Sequence, residues 1–277
     1  MTVILATACA IVYGTADFFG GLATRRSRVL SVVVLSQIAG LALVAGLLPL
    51  LPGTYDAGAM GWGLAAGLSG AAGLVLFYRG LATGVMSVVA PTTAVTSAVL
   101  PVAFGLATGD RPGFWALSGV VLALGSVLLV SQEGGGASRA TTSSVLTSLA
   151  AGAGFGGFFI LLSMAPHEAG LWPLLGARLS SVSAVALLAL ATRRTLRPGS
   201  GSLYVIVAAG VLDMVANVLY LLAQRDGLLS LVAVLVSLYP ASTLLLARQV
   251  LGERLRAVQL TGVGCALVAV ALIAAAH

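Results

Sequence analysis

Lysine is absent from this 277-residue chain, and charge of either sign is scarce: fourteen arginines and eight acidic residues make 8% of the sequence. A soluble domain carries roughly 25% charged residues and about 45–50% apolar ones. With 59% apolar residues and a mean hydropathy of +1.10, this chain cannot cover itself with a water-facing surface. Disorder is excluded from the other side, because disordered chains are poor in apolar residues. Histidine occurs only at His167 and His277, which removes most metal sites. Neither a metal nor a cofactor is expected. Cys9 and Cys265 fall in the first and last apolar runs and read as small packing residues, not as a disulfide or metal pair. No HExxH, GxSxG, Walker or dinucleotide motif occurs, so no catalytic residue is assigned. No basic region precedes the first apolar run, so no cleavable signal peptide is expected.

The net charge of +6 would suggest nucleic acid in a soluble protein. Nucleic-acid binding needs a basic surface interleaved with aromatics, and none is present. The arginines fall mostly in short gaps between apolar runs, where they set topology and meet lipid headgroups. The partners expected are membrane lipid, a small-molecule substrate and coupling protons, with no nucleic acid. The sequence leaves the oligomeric state open.

Apolar runs of bilayer length dominate the chain. They cover about 2–22, 29–51, 58–80, 85–108, 113–131, 143–165, 171–191, 202–223, 228–248 and 256–275. A spanning helix needs roughly 20 apolar residues, and a membrane β-barrel would show short alternating segments instead. The fold class is therefore all-α integral membrane, with ten transmembrane helices. Breakers and charges separate the runs, as in Pro52-Gly53 through Asp56, Gly109-Asp110-Arg111-Pro112, and Arg193, Arg194 and Arg197 with Pro198. Trp62, Trp115 and Trp172 mark span ends, where aromatic belts form. Many of the 35 glycines lie inside spans at three- or four-residue spacing, which lets membrane helices approach closely. The longest polar stretch, near the middle, divides the chain into 1–131, a linker at 132–143, and 144–277.

Self-comparison relates the two halves. A shift of 143 residues places Gly67 on Gly210, Gly84 on Gly227, Ser87 on Ser230 and Ala90 on Ala233. It also places Gly109-Asp110-Arg111 on Gly252-Glu253-Arg254, and Gly119 on Gly262. A shift of 140 places Gly14, Phe18 and Phe19 on Gly154, Phe158 and Phe159. Five helices per unit is an odd number, so the second unit enters the membrane from the opposite side. Two inverted five-helix repeats of this kind build a site near the midplane and alternate its access.

The stretch Tyr78 to Leu129 resembles the second part of an EamA repeat, and Tyr220 to Leu272 resembles the same unit again, with Tyr239-Pro240 ahead of Gly252-Glu253-Arg254. The EamA family belongs to the drug/metabolite transporter superfamily, and the resemblance covers nearly the whole chain. Ser97 departs from it where the ninth run has Pro240; Pro91 and Pro101 take the fourth run's kink elsewhere. Asp110 stands where the repeat has Glu. The resemblance implies that the eighth helix lines a central cavity. It also implies a multi-pass protein of a bacterial plasma membrane that exports small metabolites or drugs. Both termini of such a fold are expected inside. The arginines argue the reverse: eleven belong to odd-numbered connections and two to even ones, which places the odd connections in the cytoplasm and both termini outside.

A charge deep in a span is costly, about 2.5–3.5 kcal/mol or more, and so marks a candidate site. Asp213 lies mid-span in the eighth run, with Asn217 and Tyr220 four and seven positions on along one helical face. This stripe either binds substrate and carries a coupling proton, or ties helices together. The expectation is that Asp213 is needed for transport and contributes little to folding. Asp17, one turn beyond Tyr13, either binds a proton or cationic group or answers Arg25 and Arg26 at the interface. Arg178 pairs with Asp213, binds an anion, or snorkels to the headgroups. Gln37 reads as a helix–helix hydrogen bond. The functional reading is a secondary transporter and not an enzyme. The alternatives are an intramembrane enzyme acting on lipid or isoprenoid headgroups, which lacks the paired carboxylates or histidines it would need, and a non-transporting membrane subunit.

Overall fold

The computed structural model describes residues 1–83, 86–130, 142–192, 196–225, 227–252 and 256–276, leaving aside the side chains of 78, 81–83, 86–88, 90 and 91. Most of the linker, Gly84, Glu253, and the arginines 139, 193, 194 and 254 therefore lie outside the described residues, as do the side chains of Ser87, Ala90 and Pro91. Every regular element described is a helix: α1 (Thr2–Thr24), α2 (Val29–Leu47), α3 (Ala57–Thr83), α4 (Met86–Thr108), α5 (Phe114–Val130) and α6 (Thr142–Ser163) in the first part. A short 3-10 turn (His167–Ala169) leads to α7 (Trp172–Ala191), α8 (Leu203–Arg225), α9 (Leu229–Val236), α10 (Tyr239–Leu251) and α11 (Ala257–Ala275).

Among the described residues, eight helices are long and apolar enough to cross a membrane, counting Leu229–Leu251 as one. The fourth and fifth expected spans are the weaker ones. In α4 the apolar stretch described is Thr92–Thr108, and α5 has 17 residues, about 25 Å of helix. The hydrocarbon core is about 30 Å thick. The ninth run is not one continuous helix: it breaks at Ser237 and Leu238. Pro240 explains the break, since it has no N–H for the carbonyl of Val236 four residues back. Pro101, by contrast, is carried within α4 without interruption.

Local chemistry places the helix ends. The Asp56 carboxylate accepts the Ala59 N–H at 2.5 Å and starts α3. Pro173 and Pro240 stand in the first turns of α7 and α10, where a missing N–H costs nothing. Gly109 and Gly252 follow α4 and α10 with φ of 117° and 69°. Both values lie where a side chain is strained, so the glycines in the two matched loops share a backbone reason.

The helices pack in related pairs. α1 lies on α8 and α3 on α6; α3 lies on α7 and α2 on α8; α4 lies on α6, and α1 on α9 and α10. α5 pairs with α11. Matched glycines occupy matched interfaces. A Cβ at Gly67 would run into the Ala177 carbonyl on α7, and one at Gly210 into the Ser36 carbonyl on α2. A Cβ at Gly119 would meet Ile273 of α11 at 2.7 Å, and one at Gly262 would meet Val130 of α5 at 2.8 Å.

The connections gather at two ends of the bundle. At one end Ser27 meets Ser202 at 2.6 Å and accepts the Gly199 N–H at 2.9 Å. At the other end the Thr54 N–H donates to the Glu168 carbonyl at 2.9 Å, and Asp110 accepts the Ser230 N–H at 2.8 Å, capping α9 from the α4–α5 connection. Thr2 packs beside Gly227 at this second end, so the N-terminus lies there.

Candidate central site

α2 reaches the middle of the bundle with small residues. A Cβ at Gly40 would sit 3.2 Å from the Gly210 carbonyl and 3.4 Å from Arg178 Nε. The glycine therefore opens a lane between α2 and α8 through which the α7 guanidinium passes. Arg178 donates to Gln37 Oε1 on α2 and to Asp213 Oδ2 on α8, the latter an ion pair. Ser181, one turn on from Arg178, donates to the same Gln37 oxygen at 3.1 Å. Three helices are thus joined through one guanidinium. The two partners differ in access: the Arg178 side chain is 9% exposed and that of Asp213 37%.

This geometry replaces the snorkelling reading of Arg178, whose head turns inward to a carboxylate because a buried guanidinium needs acceptors. Gln37 is the helix–helix hydrogen bond expected of it. Asp213 has a larger part in holding the bundle than its sequence position implied, since its removal leaves a buried guanidinium without its ion-pair partner.

Asn217 and Tyr220 extend the α8 stripe away from Asp213 and into the core. Asn217 Nδ2 donates to the Asp213 carbonyl at 2.8 Å, while its Oδ1 is buried without a hydrogen-bond partner. Tyr220, fully buried, donates to the Phe159 carbonyl of α6 at 3.3 Å. Its ring lies 4.6 Å from that of Phe159. Tyr13 of α1 meets Phe159 edge-on at 6.4 Å and Tyr239 of α10 at 6.3 Å. Tyr239 is the first residue after the break in the ninth run. Hydroxyls hold α10 against α1, with Ser242 donating to the Ala10 carbonyl at 3.2 Å and Thr243 to that of Gly14 at 3.0 Å.

Asp17 is exposed, within electrostatic reach of Asp213 and Tyr239. It lies about 120–140° around α1 from the exposed Ile4 and Ile11, at 100° per residue, on the side of the helix that carries the buried Ala6 and Ala10. Among the described residues no arginine pairs with it. Access falls with depth: Asp17 is exposed and Asp213 partly so, while Asn217 is 2% exposed and Tyr220 and Cys9 are sealed. Of the six residues singled out from the sequence, Arg178 pairs with Asp213, Tyr13 and Asp17 lie within electrostatic reach of it, and Asn217 and Tyr220 run from it into the core along α8. The aromatic wall of Phe159 and Tyr239 and the Ser181 contact were not singled out as site residues. The signals existed, in the matching of Phe158-Phe159 with Phe18-Phe19 and in the Tyr239-Pro240 pair.

No curated protein sequence matches the chain. Twenty-nine chains of solved structures do. One, described only as a crystal structure of protein, superposes with a TM-score of 0.75 over 96% of this chain and 98% of that one. At 17% identity the likeness is one of fold alone. The sequence of residues 142–275 matches the EamA-like transporter family. From α6 through α11 the chain is thus similar to the EamA-like transporter family, and its long apolar helices are those of a multi-pass membrane protein.

Proposed function

We propose that the chain is a secondary transporter that moves a small metabolite or drug by alternating access around the Asp17–Asp213 cleft, in the direction of export. The observation that carries this reading is the graded access to buried charge. Asp17, exposed, and Asp213, partly so, lie on the Ser27–Ser202 side of the buried Asn217, Tyr220 and α9. Charge placed against a sealed core in this way suits a carrier that alternates access to a site near its middle.

The paired packing supports two inverted five-helix repeats, 1–131 and 144–277. α3 meets α7 through Gly67 as α8 meets α2 through Gly210, and α5 with α11 lies across the pseudo-twofold. On the arginine distribution, the end bearing Arg25, Arg26, Arg28 and Arg197 is cytoplasmic, in a bacterial plasma membrane, with the N-terminus outside. Asp17 then lies toward the cytoplasmic side of the bundle. Coupling is by protons exchanged at Asp213 or Asp17.

The test begins with a metabolite screen of cells lacking and overproducing the protein. Flux of the solute so identified is then measured in proteoliposomes for the natural chain, Asp213→Asn and Asp213→Ala. Asp213→Asn keeps shape and hydrogen bonding but cannot titrate. Exchange without pH dependence in this variant supports the proton role, whereas normal transport at every pH sinks it. Flux no greater than in protein-free vesicles for every solute sinks the transport reading.

A further inference from the structure

α9 comes from the second half of the chain, yet it packs against α1, α4 and α5 of the first. All eight of its residues, Leu229 to Val236, are buried. Apart from Ser230 they are apolar, so most of its contacts are non-directional and can slide. At its far end α9 stops at the break before Pro240, so it does not move as one rod with α10. At its start Leu228 stands in the cap position and supplies no side-chain hydrogen bond. The cap comes from Asp110 instead, 120 residues earlier, whose Oδ2 accepts the Ser230 N–H at 2.8 Å. A carboxylate suits the N–H groups at a helix start, and its charge makes the bond strong and directional.

The α4–α5 connection is shaped to present that carboxylate. Gly105, in the last turn of α4, leaves room for it: a Cβ there would lie 2.5 Å from Asp110 Oδ2 and 3.0 Å from the Ser230 nitrogen. The Gly105 carbonyl accepts the Asp110 N–H at 2.8 Å, and Gly109 turns the chain between them with φ 117°. The Ser230 side chain is 0% exposed, so water is excluded where the two halves meet. The same end of the bundle has a second contact between the halves. There the Thr54 N–H donates to the Glu168 carbonyl at 2.9 Å, and Gly53 packs on Gly170. If the halves rock about a central site, both contacts part whenever this end opens. The second contact is backbone on backbone. The first depends on one side chain.

We propose that Asp110 is a positioning residue of the transport cycle: acting through α9, it holds this end of the bundle shut, and the end opens as a unit when its bond to Ser230 breaks. This rests on the transport reading and names a residue that controls access without touching substrate.

The test is cysteine labelling of the full chain in proteoliposomes with N-ethylmaleimide, which crosses the bilayer and reacts with thiolate, hence where water reaches. Cys9 and Cys265 are first replaced by alanine. Three buried reporters are then introduced singly. Ser230→Cys keeps the capped N–H. Ala169→Cys, at a residue 1% exposed, lies at the second contact of the same end. Ala23→Cys, also at a residue 1% exposed, lies near Ser27 at the opposite end. Asp110→Ala is expected to speed labelling about tenfold at Ser230→Cys and by a similar factor at Ala169→Cys, while leaving Ala23→Cys unchanged. Asp110→Asn keeps an acceptor without the charge; it should give a smaller rise in the same pattern, and it carries the test if the alanine variant aggregates. A cap that serves only to stabilise α9 would expose Ser230→Cys alone. That result, a rise at all three reporters, no rise at Ser230→Cys, or aggregation of both Asp110 variants overturns the proposal. Flux is scored apart. Joint labelling at one end with no solute carried leaves the Asp110 tie standing and counts against transport, whereas flux with a rise at Ser230→Cys alone sinks the tie and leaves transport standing.

Discussion

The two halves of the chain pack alike and are charged differently. Gly67 and Gly210, 143 residues apart, each bring a helix against a neighbouring backbone, on α7 and on α2. At the same offset, however, Asp213 falls on Gly70, whose missing Cβ would touch the Phe158 ring at 3.3 Å. Asn217 falls on Leu74, and Tyr239 on Thr96. Asp17 at its own offset falls on Gly157, beside Ser69. The ninth run is broken where α4 continues. Backbone approach is thus repeated in both halves, while charge and the helix break occur once.

The largest test of this comparison strikes the unrepeated part. Asp213→Ala strands a guanidinium that is 9% exposed, whereas Arg178→Ala leaves a carboxylate that is 37% exposed and can keep water. The first is expected to cost about 3 kcal/mol of stability and the second distinctly less. The double change Arg178→Met with Asp213→Leu should recover most of the loss while leaving the protein unable to transport. Thermal unfolding in detergent measures all three, and equal losses for the two single changes would remove this structural asymmetry.

The repeated part is tested next. Gly67→Ala and Gly210→Ala each push a methyl group into a facing carbonyl, at an expected cost of about 2 kcal/mol apiece. Gly46→Ala, which faces open space, should be neutral or slightly stabilising. If one of the matched pair proves tolerant, the two interfaces are not equivalent.

The smallest effect sharpens the comparison at the loops. Gly252 is in the left-handed helical region (φ 69°, ψ 19°), which asparagine also adopts, but Gly109 has φ 117°. Gly252→Asn is expected to be almost silent and Gly109→Asn to cost about 1 kcal/mol, read as a shift in melting temperature. Equal tolerance would place both loops in the same conformation.

Several features were legible without coordinates because each depends on local chemistry. Helix follows from apolar runs that must satisfy their own backbone in lipid. The Asp213–Asn217–Tyr220 stripe follows from helical periodicity. Two of the four positive-φ glycines described, Gly109 and Gly252, lie in the loops that the repeat aligned, since a backbone conformation forbidden to side chains leaves a mark in composition. The break after Val236 was legible only in part. Pro240 was visible, but so were Pro91 and Pro101, and Pro101 is absorbed within α4.

Taken alone, the sequence determined that this protein lives in lipid, that its helices approach through glycine, and which few charges lie deep in its spans; these are properties of composition and spacing. Only the tertiary structure decided which of those charges are committed. It brought Arg178 from α7, Gln37 from α2 and Asp213 from α8 to one point, and left Asp17 exposed within electrostatic reach of Tyr239. The physical reason is that pairing depends on distances between side chains 35 and 141 residues apart in the chain, and only the packing of helices fixes those distances.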